Sequence, residues 1–360
     1  MVERTPNASR VRLARTRRGL TKVLLARRAG ISTRSLYDIE TGQAEPTPET
    51  LDAIAEATRF PIDFFFRHDI EAPEPEAASF RSLRSMPAGK RDAALAAGAL
   101  AFELSAWIDE RFELPRPNMP DLRDYEPEAA AEALRSHWQI GVRPIGNMIH
   151  FLESVGVRVF SLAEDRRIDA FSLWHRDVPF VFLNTVKTAE HSRLDAAHEL
   201  GHLVLHRHGI PWGRNVEKDA QLFGSAFLMP KASMLALNRF TAVSVRGLTA
   251  IKRQWGVSAA ALAFRLHQLG LVSDWNYRGV CVELSRIGRT IEPDGIARET
   301  SQVMSKIFGL GGESKGDAAT ALALHQADIE ALVFGLRIQP PTGDNRRPTA
   351  RSPRPQLRIV

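Results

Sequence analysis

Two histidines spaced four residues apart, His198 and His202, constrain this chain more than any other feature. The surrounding segment, residues 194–206, is predicted to form one helix, and residues four apart lie on the same face of a helix. Both imidazoles can therefore reach one metal ion. Glu199 lies beside them and can accept a proton from the water that such an ion activates. The pattern indicates the minimum apparatus for zinc-assisted hydrolysis, with Glu199 as the general base.

A third metal ligand is expected further along the chain, because catalytic zinc takes three protein ligands and leaves one position for water. The single cysteine, Cys281, excludes a cysteine-rich zinc module, so the ligands must be His, Asp or Glu. Residues 216–229 are predicted to form a second helix, ended by Pro230. Glu217 at its start can project towards the first helix. Asp219 is the alternative ligand.

The composition is that of a soluble globular protein, with 44% hydrophobic and 25% charged residues. No apolar run approaches the length of a membrane span, and the first six residues lack the apolar core of a secretory signal. Together with the single cysteine, these features predict a reduced, cytoplasmic protein without a membrane partner. A chain of 360 residues is long enough for two or three domains.

Positive charge is concentrated at the two ends of the chain. Residues 1–34 hold ten Lys or Arg and one acid, and residues 339–360 hold five Arg and one Asp. Blocks of one sign favour nucleic acid as a partner. We expect the proline- and arginine-rich tail at 339–360 to be disordered. The N-terminal block is predicted to bind DNA, because it coincides with a helical motif.

Residues 8–66 have the pattern of a small helical domain. Helices are predicted over 11–20, 21–28 and 33–40, and Gly30 supplies the positive φ of a tight turn between the last two. Two short helices joined by such a turn form a helix-turn-helix. The segment resembles the five-helix, lambda-repressor-like (XRE-type) DNA-binding domain. The residues that carry the resemblance are Thr21, Lys22, Leu25, Ala26, Gly30, Ile31, Ser32, Leu36, Ile39, Glu40 and Gly42, followed by 51–57.

This resemblance implies DNA as a partner and a homodimer on paired half-sites. In the recognition helix, Thr33, Arg34 and Tyr37 would point outward, since Leu36 and Ile39 must turn inward. Arg34 suits a guanine edge or a phosphate. The alternative is a helical bundle that binds protein instead of DNA. Basic side chains suited to phosphate contacts are Arg10, Arg17, Lys22 and Arg27.

The middle of the chain predicts a mainly α fold with a small β-sheet (α+β). After an acidic, proline-containing linker at 67–79, helices are expected over 88–112, 126–138 and 144–155. Three strands follow, over 157–162, 170–174 and 179–184. In zincin-like peptidases such a sheet lies beside the metal helix, and its edge strand pairs with an extended substrate. We expect residues 179–184, or a neighbouring strand, to be that edge.

Two motifs of this region resemble the ImmA/IrrE family of metallopeptidases. In that family two histidines and a downstream glutamate bind zinc, and the glutamate of the helix motif is the base. The resemblance implies His198, His202 and Glu217 as Zn²⁺ ligands and Glu199 as the base. Many members have alanine in place of Gly224, which we expect to affect packing alone. The motifs run from His198-Glu199-Leu200-Gly201-His202 to His206, and from Glu217 through Ala220, Phe223 and Phe227 to Pro230.

The predicted domains are a helix-turn-helix domain at 8–66, the linker at 67–79, a peptidase domain at 80–275 with its core at about 140–275, a C-terminal region at 276–338 and the tail at 339–360. Within the C-terminal third we expect a helix over 258–269, a strand at 280–284 and a helix over 317–336. Tyr277 and His267 are candidates for stabilising an oxyanion.

Three functions are compatible with these motifs. The first is a DNA-binding regulator with a zinc endopeptidase domain, which by its resemblance would cleave a repressor or similar regulator in a stress or mobile-element response. The second is a transcriptional regulator whose zinc domain senses or scaffolds without proteolysis. The third is an antitoxin-like repressor that binds a toxin. The intact Glu199 favours the first over the second.

Overall fold

A computed structural model of the chain describes residues 4–73, 87–162, 170–207, 215–237, 244–287, 292–310 and 312–333. These residues form two compact units. The first contains residues up to 72, residues 92–115 and residues from 304 onward. The second contains residues 116–303 together with 73–91. The domain boundaries expected from the sequence remain predictions, and the linker residues 74–79 and the tail at 339–360 lie outside the described residues.

The described residues are mainly helical and contain one small sheet, so the α+β prediction is confirmed. The strands are β1 Arg158–Leu162, β2 Ala170–His175 and β3 Val178–Asn184. The helices are α1 Ala8–Arg17, α2 Lys22–Arg28, α3 Thr33–Glu40, α4 Pro48–Thr58, a 3-10 helix Ile62–Phe66, α5 Ala88–Asp109, α6 Pro127–His137, α7 Met148–Ser154, α8 Ala189–Leu205, α9 Val216–Leu228, α10 Lys231–Ala236, α11 Val245–Trp255, α12 Ala259–Gln268, α13 Asp274–Ile287, α14 Gln302–Gly309, α15 Lys315–Leu322 and α16 Gln326–Leu332.

The helix-turn-helix begins each of its helices with a polar cap. The side chains of Thr21 and Ser32 accept backbone N–H groups three residues on, at the starts of α2 and α3. Gly30 between these helices has a φ of 68°, as the sequence predicts. The core is apolar and closed, with fully buried side chains from α1, α2, α3, α4 and the 3-10 helix: Val11, Leu25, Leu36, Ile54 and Phe64.

Two arginines expected to contact phosphates are buried instead. Arg10 is 1% exposed, and its guanidinium donates to the Glu103 carboxylate of α5 and to the His68 carbonyl. Arg17 is also buried. A buried guanidinium requires a partner carboxylate, and Glu103 lies 93 residues from Arg10 in the chain. The expected phosphate contacts of these two residues are therefore wrong.

The C-terminal helices α15 and α16 belong to the same unit as the helix-turn-helix. Arg18 at the end of α1 donates to both carboxylate oxygens of Asp328, at 2.6 and 3.0 Å, and Asp328 is 5% exposed. Arg67 donates to the Ala321 carbonyl. A single helix over 317–336 was expected, but Ala323 adopts a left-handed conformation and separates α15 from α16.

The sheet has the strand order β1-β3-β2, with β1 parallel and β2 antiparallel to β3. Residues 179–184 therefore lie in the central strand and not at an edge. They are all buried and almost all apolar, and such a run does not distinguish a central strand from an edge strand by sequence. The neighbouring β2 is an outer strand of the described sheet, and it packs on α8.

The region from α11 to α13 belongs to the second unit. Gly256 has a φ of 62° and ends α11, and the Ser258 side chain caps α12 over the expected segment. The strand expected at 280–284 is wrong, because these residues lie within α13. Val280 is the buried residue of that helix, and the apolar alternation around it comes from exposed side chains such as Val282. None of the described helices has the length and apolarity that crossing a membrane requires.

Candidate metal centre and DNA-reading helix

Three side chains from α8 and α9 converge on one point in the second unit. The Nε2 atoms of His198 and His202 are 3.0 Å apart. Oε2 of Glu217 lies 3.4 Å from Nε2 of His198, and Oε1 of Glu217 lies 3.7 Å from Nε2 of His202. Glu217 lies in the first turn of α9. The structure thus brings together all three residues that the sequence nominates as ligands.

The spacing of these atoms suits a tetrahedral metal ion. Ligand atoms at about 2.0–2.2 Å from zinc are about 3.3–3.6 Å apart along the edges of a tetrahedron. The two imidazole nitrogens are 3.0 Å apart, and the 3.4 and 3.7 Å separations run to different oxygens of Glu217, Oε2 and Oε1, so the three side chains are spaced close to that range. Two imidazoles and one carboxylate are also a common donor set of catalytic zinc. The residues present therefore fit such an ion.

Close helix packing places Glu217 opposite the histidines. A Cβ atom added at Gly224 of α9 would lie 2.9 Å from the backbone nitrogen of His198. One added at Gly201 of α8 would lie 3.0 Å from a ring carbon of Phe223. Real Cβ atoms essentially never approach backbone this closely, so glycine at 224 permits the observed crossing. Glycine in place of the alanine of many family members therefore affects how α9 packs against the nominated ligand His198.

Asp219, the alternative ligand, is not part of the three-residue cluster. It lies two residues beyond Glu217 on α9, about 200° around a regular helix. Its Oδ2 atom is buried and has no hydrogen-bond partner among the described residues. The geometry therefore supports Glu217 over Asp219, although the ligand role of each remains a prediction.

The two histidines have opposite pKa shifts. Burial lowers the pKa of His202 well below its usual value, and the neighbouring His198 and His206 add to this effect. Burial also opposes protonation of His198. There the hydrogen bond to Glu217 and the charges of Glu199, Glu217 and Asp195 outweigh burial, so the pKa of His198 is raised. His202 is thus neutral, the form in which imidazole binds a metal.

His206 lies at the end of α8, as the sequence predicts, and also contacts His202 on the same face of the helix. Its Nδ1 atom lies 3.2 Å from Nδ1 of His202, on the ring edge opposite the Nε2 that faces Glu217. One of the two nitrogens must donate to the other, and a proton on Nδ1 of His202 leaves Nε2 free to bind a metal. The helical spacing of four between 202 and 206 is the signal for this contact.

Sequence reasoning missed Ser172, which lies beside the nominated base. Glu199 is 3% exposed, and its Oε2 atom accepts a hydrogen bond of 2.7 Å from the Ser172 hydroxyl of β2. A polar residue on the buried side of an otherwise apolar strand was the available signal. The oxyanion candidates Tyr277 and His267 stack on each other with ring centroids 4.5 Å apart, and their role remains a prediction.

The exposed face of α3 holds the nominated DNA contacts. Thr33, Arg34 and Tyr37 are exposed, whereas Leu36 and Ile39 are buried. Arg34 donates to Asp38 one turn on, at 3.1 Å. The Lys22 ammonium lies 4.6 Å from the centroid of the Tyr37 ring, so it extends this face from α2. Cationic and aromatic side chains together suit a phosphate backbone and base edges.

Comparison with known protein families assigns both regions. Residues 11–65 match the helix-turn-helix family model. Residues 152–267, which include α8 and α9, match the model of a peptidase family described as the IrrE N-terminal-like domain. No curated protein matches the chain. The two matches therefore confirm the resemblance of residues 11–65 to the XRE-type helix-turn-helix and of residues 152–267 to the ImmA/IrrE family.

Proposed function

We propose that the chain is a DNA-binding transcriptional regulator whose second unit is a zinc-dependent endopeptidase that cleaves a repressor or a similar regulator protein. The observation that carries this proposal is the convergence of His198, His202 and Glu217 within 4.8 Å of one another, beside the buried carboxylate of Glu199. The helix-turn-helix adds DNA as a second partner.

In this proposal His198, His202 and Glu217 hold the zinc ion, the neutral imidazoles through Nε2. When bound, zinc supplies a Lewis acid that acidifies an attacking water and polarises the scissile carbonyl. Glu217 also balances part of the positive charge of the ion. Loss of its carboxylate would leave two neutral ligands.

Glu199 acts as the proton carrier. Its ionised carboxylate accepts the proton of the attacking water and then delivers it to the nitrogen of the leaving amine. The low exposure of Glu199 excludes competing bulk water from this transfer. Substitution by Gln removes the basic oxygen but retains the size of the side chain and an acceptor for Ser172.

The test of proteolysis compares cells that express the wild type with cells that express Glu199→Gln. All new protein N-termini are identified by mass spectrometry. We expect a small set of cleavage products with the wild type alone, among them a DNA-binding regulator. Both proteins should contain equal zinc, measured on purified samples. Identical sets of N-termini would reject the endopeptidase and support the regulator that senses or scaffolds without proteolysis.

The DNA half of the proposal rests on Lys22, Thr33, Arg34 and Tyr37. Operator fragments are selected from random DNA with the full chain, and binding is measured over a range of salt concentrations. Arg34→Ala should lower affinity and relax selectivity at one or two base pairs, at a cost of about 1–3 kcal/mol. Lys22→Ala should weaken binding to all DNA sequences equally. It should also reduce the slope of log affinity against log salt concentration by about one. Unchanged binding by both variants would exclude this face as the DNA contact.

A further inference from the structure

The strand β2 lies along the metal helix α8 in a fixed register. The Ser172 hydroxyl is 3.2 Å from the Glu199 carbonyl and 2.7 Å from the Glu199 carboxylate. Two residues further along the strand, the Trp174 indole donates to the Leu203 carbonyl at 3.1 Å. Residues two apart share a face of a strand and residues four apart share a face of a helix, so the two contacts belong to one interface.

Ser172 lies on the buried side of this interface. It is 2% exposed, between Ala170 and Trp174 on the face that meets α8. An apolar side chain would fill such a position in an ordinary strand. A buried hydroxyl without a partner is costly, and a buried carboxylate is more so. The bond between Ser172 and Glu199 offsets both.

The direction of this bond follows from the chemistry of the two groups. An ionised carboxylate accepts hydrogen bonds and donates none, so the Ser172 hydroxyl must donate. A hydroxyl has one proton, and of its contacts with Glu199 the shorter is to Oε2. The last torsion of a glutamate side chain is broad and roughly two-fold. Fixing Oε2 therefore selects the orientation of the whole carboxylate.

We propose that Ser172 is a positioning residue that holds Oε2 of Glu199 and thereby fixes the orientation of the carboxylate that acts as the base. This inference rests on the proposed peptidase function for its consequence, but the bond itself can be tested without activity. The outer strand β2 thus contributes a side chain to the site. Together β2 and α8 set the position of the base.

The bond is tested by a double-mutant cycle on the full chain as purified. Ser172→Ala, Glu199→Ala and the double variant are unfolded by urea. Ser172→Ala should lower the midpoint in the wild type and have a much smaller effect when residue 199 is alanine. Equal losses in both backgrounds would overturn the proposal, since they would assign the hydroxyl to packing. Ser225→Ala is the matched control, because the Ser225 hydroxyl is buried without a hydrogen-bond partner among the described residues.

The consequence is tested on a substrate found by the comparison with Glu199→Gln. Ser172→Ala should lower kcat by about 10–100-fold, the loss typical when a residue that orients a metal-site side chain is removed, with KM and zinc content unchanged. Ser172→Thr keeps a hydroxyl on a strand-compatible side chain and should restore most of kcat. A kcat that Ser172→Ala leaves intact would overturn the proposal. If the wild type cleaves nothing, the proposed function fails, while the double-mutant cycle still decides whether Ser172 holds Glu199.

Discussion

Gly224 packs against the backbone of His198, so that α9 meets α8 directly at a nominated metal ligand. A Cβ atom at position 224 would lie 2.9 Å from the His198 nitrogen and 3.1 Å from its Cα atom. Both are backbone atoms of a buried helix and cannot move as a side chain can. The separation of the two helices, and with it the distance from Glu217 to the histidines, depends on the absence of this one methyl group.

Gly224→Ala should therefore weaken metal binding even though residue 224 is not a ligand. The added methyl group should push α9 away from α8 and destabilise the protein by about 1–3 kcal/mol, the usual range for overpacking. Zinc affinity is measured by competition with a chelator, and stability by urea unfolding. Gly279→Ala is the control: this α13 glycine has nothing within 4 Å of a Cβ, so the change should be neutral or stabilise by up to about 1 kcal/mol. Equal zinc affinity of both variants would refute the packing argument.

Glu217→Gln should lower zinc affinity. The loss should exceed the roughly 10–100-fold that follows when a residue hydrogen-bonded to a metal ligand is removed, because Glu217 is itself a nominated ligand. The amide is a weaker ligand and has no negative charge to balance the ion. Asp219→Asn is the matched control from the same helix turn and should retain zinc, because Asp219 is outside the cluster. Metal content after dialysis and chelator competition provide the measurement. The reverse result would make Asp219 the third ligand.

Zinc affinity should fall as the pH falls, beginning above pH 6.5. The pKa of His198 is raised from 6.5, so its imidazole is already protonated where an unperturbed one is neutral, and protons compete with the metal there. The pKa of His202 is lowered, so it adds no competition near neutrality. Nitrogen-detected NMR titration of the metal-free chain should show His198 titrating above 6.5 and His202 well below it. Two equal pKa values near 6.5 would contradict this prediction.

The same shifts act on the stability of the metal-free protein with opposite signs. The raised pKa of His198 stabilises the fold below pH 6.5, and this contribution is lost as the pH rises through the raised value. The lowered pKa of His202 has no effect well above 6.5 and destabilises the fold as the pH falls below it, because the unfolded imidazole takes the proton. His202→Gln should therefore remove this loss of stability at acid pH, measured by urea unfolding over a range of pH.

Asp328→Ala should destabilise the first unit by about 1–3 kcal/mol. It leaves the Arg18 guanidinium without its carboxylate, and the loss is below the roughly 3–5 kcal/mol of a fully buried pair because 24% of the Arg18 side chain is exposed. Glu330→Ala on the same helix is the control. The Glu330 side chain is 43% exposed and pairs with Lys315, so its removal should change stability by less than about 1 kcal/mol. Urea unfolding measures the stability of both variants, and amide hydrogen exchange in α1 reports the change near Arg18.

The sequence by itself determined the features that local geometry controls. His198 and His202 share a face because the helix repeats every 3.6 residues. Ser32 caps α3 and Gly30 turns the chain through short-range hydrogen bonds and torsion preferences. The nomination of Glu217 came from family resemblance together with its place at a helix start, and neither gives the distance to the histidines.

Tertiary structure decided the contacts between residues far apart in the chain. The burial of Arg10 depends on Glu103, the strand order places β3 in the centre, and Ser172 reaches Glu199 from a strand 27 residues away. The strand assigned at 280–284 failed for a related reason, since apolar alternation on an exposed helix resembles a strand. Helix periodicity and caps are encoded by neighbouring residues, whereas burial and pairing depend on which surfaces meet when the chain packs.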